Sequence, residues 1–402
     1  MRILFLTRLL PQPFGIAGSI IIYNRIRYLI EKGHEVGVLT FIAPDEKPFL
    51  ADVRLPLMDL VALPAPPAVP PVRQILDFLL SVVPPPFKAW QSRPMALKLG
   101  EMIERCHYDV VVAEYTAMGQ YVYRNPYLPA VRRVVSCHEC CTTAFIKAIR
   151  LNPWSLHGLA RWALLDRVRR YEFDMYRNMD HVIVLTPQER FGLLKFAPNL
   201  RISVVPHGVD LAYYASVPVL PRDDAILFVG FFSNESNRDA VHWFVKTVWP
   251  TLKRDYPSLK FYLVGRGVTA DIRDLGRRDS RIIVTGQVED IRPYFAKAKV
   301  FVCPIRMGSG FRAKVVEAMA SGVPVVATSL AVEGIPAWGG ETLLLGDTPR
   351  QLIDRIRLLL TDATLGKMIA QNAREMVVSR FDRESGMTSL DTMLDGVMAG
   401  YD

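Results

Sequence analysis

Two parallel, doubly wound α/β sheets in one chain are what this sequence predicts, and three observations predict them. Short aliphatic and β-branched runs alternate with helical stretches, as βαβ units require. The alternation occurs twice, separated by a polar, proline-punctuated linker at 213–224. The 402 residues are enough for two separate cores.

The first series opens with the apolar run 3–7 and the turn PQPFGIAGS. A helix over 19–32, capped at Gly33, and a strand over 36–41 follow. Further strands are expected at 110–113, 133–136, 181–185 and 202–205. Between them, 64–72 is a proline-rich surface excursion, and the apolar stretch 75–90 reads as a cover over the sheet, with a membrane surface or partner contact as the alternative. The second series gives strands at 226–230, 260–264, 281–284, 300–304, 323–327 and 342–345. Its helices fall at 239–255, 291–297 and 313–321, and 349–401 reads as helical throughout. The domains expected are 1–217 and 218–384, with a final helix at about 385–402 reaching back to the first. Open parallel sheets bind ligands outside the carboxyl ends of their strands, so a cleft between two such sheets is where a site is sought.

Composition narrows the function. Half of the residues are hydrophobic and 22% are charged, which excludes wholesale disorder. A net charge of +9 suits an anionic partner: nucleic acid, acidic membrane or phosphorylated substrate. The cations are scattered, with no basic tail or arm, which argues against nucleic acid. Residues 161–170 are locally basic, as a solvated helix face or a contact for anionic lipid. Five cysteines, three of them in CHECC at 137–141, make an odd set that points to a reducing cytoplasm. No second Cys or His pair stands at zinc-finger spacing. MRILFLT is too short and too early interrupted by Arg8 to be a leader. The longest apolar candidate for a membrane span, 55–72, is broken by Asp59 and by prolines.

The most informative phrase is GSGFRAKVVEAMASGVPVVAT, 308–328. Gly308, Ser309 and Gly310 allow backbone N–H groups to approach an anion, and a helix N-terminus adds a favourable dipole. Arg312 and Lys314 add full charges, and Glu317 is an acceptor-only group that can take both hydrogen bonds of a ribose diol. The combination reads as a nucleotide-diphosphate site.

The order of these phrases resembles the retaining glycosyltransferases of the GT-B fold, glycosyltransferase family 4 (glycosyl transferases group 1). VVPHGVD at 204–210 resembles that family's interdomain hinge phrase. Residues 237–265 resemble the first strand–helix–strand of its nucleotide-binding domain, and 284–304 the stretch lining its base pocket. The resemblance implies two Rossmann-like domains facing a cleft and a C-terminal helix returning to the first. It implies ribose contact for Glu317, phosphate contact for Arg312 and Lys314, and donor-side placement of Gly308, Ser309, Gly310 and Phe311. Gly265 and Val288 fall in the nucleotide-binding and base-pocket phrases, and Arg238 is the cation after the domain's first strand. Gly15, Gly18 and Ser19 match the loop facing donor phosphate and acceptor, with a turn plus N-cap as the alternative. His138 matches the family's histidine near the donor sugar, and Glu172 a position that braces its loop.

The chain departs from the family pattern in two respects: Ser309 stands where the first of two paired glutamates belongs, and of the Arg and Lys that the family carries just after the second domain's first strand only Arg238 is present, which shifts the cationic role to Arg312 and Lys314. No D-x-D marks a metal-dependent transferase, so the resemblance implies metal-independent transfer with no cofactor beyond the nucleotide-sugar donor. The acceptor implied is a glycan or lipid-linked hydroxyl, in the cytoplasm, with peripheral membrane contact in prospect. Three other classes compete. A nucleotide-sugar epimerase needs more carboxylates than the expected cleft loops carry. A nicotinamide-dependent dehydrogenase needs the missing G-x-G-x-x-G. A non-catalytic nucleotide-sugar binder is compatible with Ser309.

Overall fold

The computed structural model describes residues 1–13, 17–43, 46–67, 81–206, 208–216, 223–308, 310–381 and 383–400. Much of the 64–72 excursion and of the 75–90 stretch, together with Gly15 and Ser309, lies outside them. Two compact units result. The first comprises Met1–Pro13, Gly18–Pro206 and Met387–Asp402, and the second is built on His207–Gly386. The division falls ahead of residue 217 because Val209 and Tyr214 pack into the second core, and Val209 N–H bonds Phe381 O at 3.0 Å.

The first unit is a seven-stranded parallel sheet: β1 (Arg2–Thr7), β2 (Glu35–Ile42), β3 (Asp59–Pro64), β4 (Val110–Glu114), β5 (Arg132–Cys137), β6 (His181–Val184) and β7 (Ile202–Val204). Their order is β3-β2-β1-β4-β5-β6-β7. Ile3 pairs with Val36 on one side and Val110 on the other. Central strands read ILFL and VVVA because both faces are covered. On one face Ile3 and Phe5 meet Ile22, Ile26 and Leu29 of the helix Ala17–Glu31. The same cluster takes Leu390, Met393, Leu394 and Val397 from Arg383–Ala399, one helical stripe at three- and four-residue spacing. On the other face Leu4 and Leu6 meet Leu99 and Met102 of Arg93–Cys106, and Phe173 and Tyr176 of Leu156–Arg177. The strand β3 has no counterpart in the sequence reading. It pairs on one side only, and an edge strand tolerates the prolines that disguise it.

The second unit is a six-stranded parallel sheet of β8 (Ala225–Val229), β9 (Lys260–Val264), β10 (Ile282–Gly286), β11 (Val300–Cys303), β12 (Val325–Ala327) and β13 (Leu344–Leu345), ordered β10-β9-β8-β11-β12-β13. Two long helices predicted as continuous are interrupted. Residues 239–255 become Glu235–Thr247 and Trp249–Asp255, broken where Pro250 removes an N–H donor. The C-terminal stretch becomes Pro349–Thr361, Ala363–Arg380 and Arg383–Ala399, and Asp362 caps the second of these by accepting from Leu365 N–H at 2.9 Å. Among the described residues, no helix is long and apolar enough to cross a membrane.

Gly265 has φ +141°, and a Cβ built there would lie 2.0 Å from Gly230 O. Gly265→Ala is expected to lower stability by at least the roughly 1–3 kcal/mol of the backbone strain alone, read as a lower urea midpoint.

Candidate functional site

In the second unit the sheet order reverses direction at β8, whose neighbours are β9 and β11. Such a switch point opens a crevice outside the strand ends. The helix after β8, Glu235–Thr247, contributes Asn237, and the helix after β11, Ala313–Ala320, contributes Lys314 and Glu317. Lys314 Nζ donates to Asn237 Oδ1 at 2.7 Å, joining the two helices. It also lies 4.5 Å from the centre of the Phe228 ring. Asn237 is held in turn by its Nδ2, which donates to Phe231 O at 2.9 Å. Gly230 leaves room for this arrangement, since a Cβ there would stand 3.2 Å from Lys314 Nζ.

Burial drives both charged groups toward neutrality. Lys314 is lowered to about 8, by burial first and by the nearby Arg312, against the pull of Cys303 and Glu317. Glu317, only 7% exposed, is raised to about 7 by burial, opposed by Lys314 and by a hydrogen bond from the Tyr214 hydroxyl. One helix turn therefore carries a cation and a carboxylate that both titrate near neutral pH.

The first unit has its own switch point, between β1 and β4. Glu114 ends β4 fully buried, and Arg25 NH1 donates to its Oε1 at 2.8 Å and to Oε2 at 3.1 Å. The same NH1 reaches Ser136 Oγ at 2.9 Å. His138, just past β5, donates from Nε2 to Glu114 Oε2 at 2.7 Å. Burial raises the Glu114 carboxyl, but Arg25 and then His138 outweigh it and hold the group down to about 2. Burial lowers His138 despite the opposing carboxylate. The imidazole is thus neutral at pH 7 with its proton on Nε2, which leaves Nδ1 as an acceptor.

Tyr115 stacks on His138 at 4.3 Å between centroids, and the Arg8 guanidinium sits 4.4 Å from the tyrosine ring centre. Its backbone is strained, at φ +76° and ψ 139°. Gly18 matters here because a Cβ would stand 1.7 Å from the Tyr115 hydroxyl. Ser19 Oγ and both amide atoms of Gln12 are buried and make no hydrogen bond among the described residues.

The remaining predicted residues are placed as follows. Gly308 and Gly310 have φ +96° and +92°, conformations that favour glycine. Phe311 packs on Phe381, with ring centres 5.6 Å apart. Arg312 precedes the helix and turns its NH1 back onto Gly310 O at 2.7 Å. Arg238 is engaged by Asp271 at 3.1 Å, beside His242, on a partly exposed face. Val288 is half-buried against the second core. In the CHECC stretch, Cys137 and Cys140 are buried with thiols pushed up by burial, and Cys141 opens the helix Cys141–Leu151. Glu172 accepts there from Cys141 N–H at 2.8 Å, Thr142 N–H at 2.8 Å and Thr142 Oγ1 at 2.6 Å, bracing the loop. Arg25, Glu114, Tyr115, Asn237 and Tyr214 escaped the sequence reading. One signal was present: a carboxylate closing the apolar run VVVA has no place in a plain core strand.

The fold is that of the GT-B glycosyltransferases. Sucrose-phosphate synthase from Thermosynechococcus elongatus superposes with a TM-score of 0.74 over 99% of this chain and 100% of that one, at 18% identity. HepE of Anabaena, solved in complex with UDP and glucose, gives 0.68 over 98% and 99%, at 17% identity. WaaG, a glycosyltransferase involved in lipopolysaccharide biosynthesis, gives 0.68 over 98% and 100%, at 14% identity. In sequence, residues 18–213 match Glycosyltransferase Family 4 and residues 223–362 match Glycosyl transferases group 1. The chain belongs to this glycosyltransferase family.

Among characterised relatives, the phosphatidyl-myo-inositol mannosyltransferase of Mycolicibacterium smegmatis is 33% identical over 133 residues, 31% of this chain and 34% of that protein. The lipopolysaccharide core biosynthesis mannosyltransferase LpcC of Rhizobium leguminosarum is 25% identical over 243 residues, 56% of this chain and 66% of that protein. These matches therefore span between a third and two thirds of the relatives' lengths.

Proposed function

We propose that the chain is a retaining glycosyltransferase. It moves a sugar from a nucleotide-diphosphate sugar to a hydroxyl of a glycan or lipid-linked acceptor, in surface polysaccharide or glycolipid synthesis. The reaction is metal-independent, needs no cofactor beyond the donor, and takes place on the cytoplasmic side of a membrane. The observation that carries this reading is the Asn237–Lys314–Glu317 cluster at the switch point of the second sheet. HepE in complex with UDP and glucose supports a nucleotide-sugar donor, and the two mannosyltransferases support a lipid or lipopolysaccharide acceptor.

In this proposal Glu317 accepts from the ribose hydroxyls and Lys314 faces the diphosphate, with Asn237 fixing its direction. Arg312 exchanges the Gly310 carbonyl for a phosphate oxygen, a stronger charge-assisted bond. The bond from the anomeric carbon to the leaving phosphate oxygen breaks as the acceptor oxygen bonds that carbon on the same face. The acceptor proton passes to the departing diphosphate, so no protein nucleophile is needed. Negative charge grows on the diphosphate as the bond stretches, and Lys314 and Arg312 favour the transition state for that reason. His138 Nδ1 accepts from a donor-sugar hydroxyl. Ser19 and Gln12, buried without partners, offer hydrogen bonds to a polar ligand at the start of the first helix. Arg238 is held by Asp271 and meets the donor only by exchanging that carboxylate for a phosphate oxygen.

His138→Phe keeps a ring to stack on Tyr115 but removes the acceptor. Turnover is expected to fall by about two- to tenfold (roughly 0.5–1.5 kcal/mol for a bond between neutral groups), with nucleotide affinity unchanged. The function itself is tested by thermal shift against UDP, GDP, ADP and their sugars, followed by nucleotide release with lipid and glycan acceptors. Stabilisation by one nucleotide family, and release that depends on acceptor, are expected. Binding of none of them would end the reading.

A further inference from the structure

The turn joining the helices Cys141–Leu151 and Leu156–Arg177 exposes what a water-facing surface ordinarily hides. Trp154 is 88% exposed, Leu156 85%, Trp162 70% and Leu159 47%. Residues 156, 159 and 162 repeat every third position and share one helix face, while Leu164, Val168 and Phe173 of the same helix are buried in the unit. The turn is specified rather than loose. Ser155 Oγ caps the second helix by accepting from Gly158 N–H at 2.9 Å and donates to Asn152 O at 2.9 Å. A side chain at Gly158 would meet Asn152 O at 2.1 Å.

Charge complements the apolar tip. From 140 to 165 the sequence has no Asp or Glu, and it carries Lys147, Arg150 and Arg161. Tryptophan and leucine at a tip collared by cations, without acids, match the interfacial zone of an anionic bilayer: apolar bodies enter the headgroup–acyl boundary and cations meet lipid phosphates.

We infer that this hairpin tip docks the protein on an anionic lipid surface. The far end of the first hairpin helix is tied to Glu172 through three hydrogen bonds, three residues after His138. The helix Cys141–Leu151 has 11 residues, so it spans ~16 Å at 1.5 Å per residue. Docking therefore holds the His138 network within about that distance of the lipid, a reach suited to an acceptor whose sugar or hydroxyl is carried by a membrane lipid. This last consequence rests on the transferase reading, whereas docking does not.

The test uses the full chain and sucrose-loaded vesicles of phosphatidylcholine with phosphatidylglycerol, against phosphatidylcholine alone. Co-sedimentation with the anionic vesicles, and quenching of tryptophan fluorescence by brominated lipid, are expected. The exposed-site double variant Trp154→Ser/Trp162→Ser should lose at least tenfold in partitioning and most of the quenching, with an unchanged thermal melt. Arg150→Glu, with the tryptophans intact, should weaken partitioning about fivefold or more, in line with one cation near an anionic surface. Docking is overturned if anionic vesicles fail to sediment the protein, or if the double variant sediments as the wild type does. It is equally overturned if light scattering shows a dimer that the double variant dissolves while vesicles are ignored, which would make the tip a protein interface. Nucleotide binding, measured alongside, reports on the transferase reading alone, so either idea can fail without the other.

Discussion

Lys314→Met is expected to lower turnover by about 10²–10³, the usual cost of removing a group aimed at developing charge, while nucleoside affinity falls only a fewfold. The residue sits where its charge is both costly and directed: burial lowers it to about 8, and Asn237 fixes its ammonium at 2.7 Å. A diphosphate returns the electrostatic partner that burial denies it. The same geometry predicts a pH optimum for nucleotide-diphosphate affinity between about 7 and 8. Below the Glu317 value of about 7 the carboxylate takes a proton and ceases to be an acceptor-only partner for ribose. Above the Lys314 value of about 8 the cation is lost. Because the two groups lie on one helix turn, both limbs belong to the pair. Glu317→Gln should flatten the acid limb, and Lys314→Arg should move the alkaline limb out of range. Calorimetric titration of the preferred nucleotide across about pH 6 to 9 reads both, and a flat wild-type profile would refute the assignment.

Lys314 and Glu317 were legible because their chemistry is local: a glycine loop, two cations and an acid within ten residues, followed by an apolar strand. Asn237 was not, although it fixes Lys314, because the two are 77 positions apart and meet only where the sheet order reverses. The same holds for Arg25 and Glu114, 89 positions apart on a helix and a strand that read as core. The buried central strands were read within a residue or two, since coverage on both faces leaves continuous apolar runs. The edge strand β3 lacks that signal, being paired on one side and punctuated by prolines. His138 stood out from its position at a strand end. Its protonation state did not, because that depends on a carboxylate from another strand. Tyr115's positive φ likewise has no sequence cue, since tyrosine rarely adopts it. Gly15 and Ser309 lie outside the described residues, and their expected roles rest on the sequence pattern.

Arg25→Met should be the most damaging single change to stability in the first unit, costing about 3–5 kcal/mol, the range for stranding one member of a buried ion pair. Side-chain exposure of the pair is 1% and 0%, so water cannot replace the guanidinium. The loss should carry an inverted pH dependence. In the wild type Glu114 is held at about 2, below its ordinary 4.5. Its contribution is therefore fully present above 4.5 and is lost as pH falls toward 2. Without Arg25, burial is the largest single influence left, opposed only by His138, and the carboxyl is expected to rise above its ordinary value. The variant should then lose stability as pH rises through that range and recover part of it in acid. Adding Glu114→Gln removes the stranded charge and should return a portion of the loss at neutral pH, leaving the amide to bond His138 and Ser136. Urea unfolding of the wild type, Arg25→Met and the double variant at about pH 5 and 7.5 separates these outcomes. A loss under about 1 kcal/mol, or one that does not change with pH, would mean the pair is solvated and cannot fix the imidazole tautomer on which the proposed sugar-facing role of His138 depends.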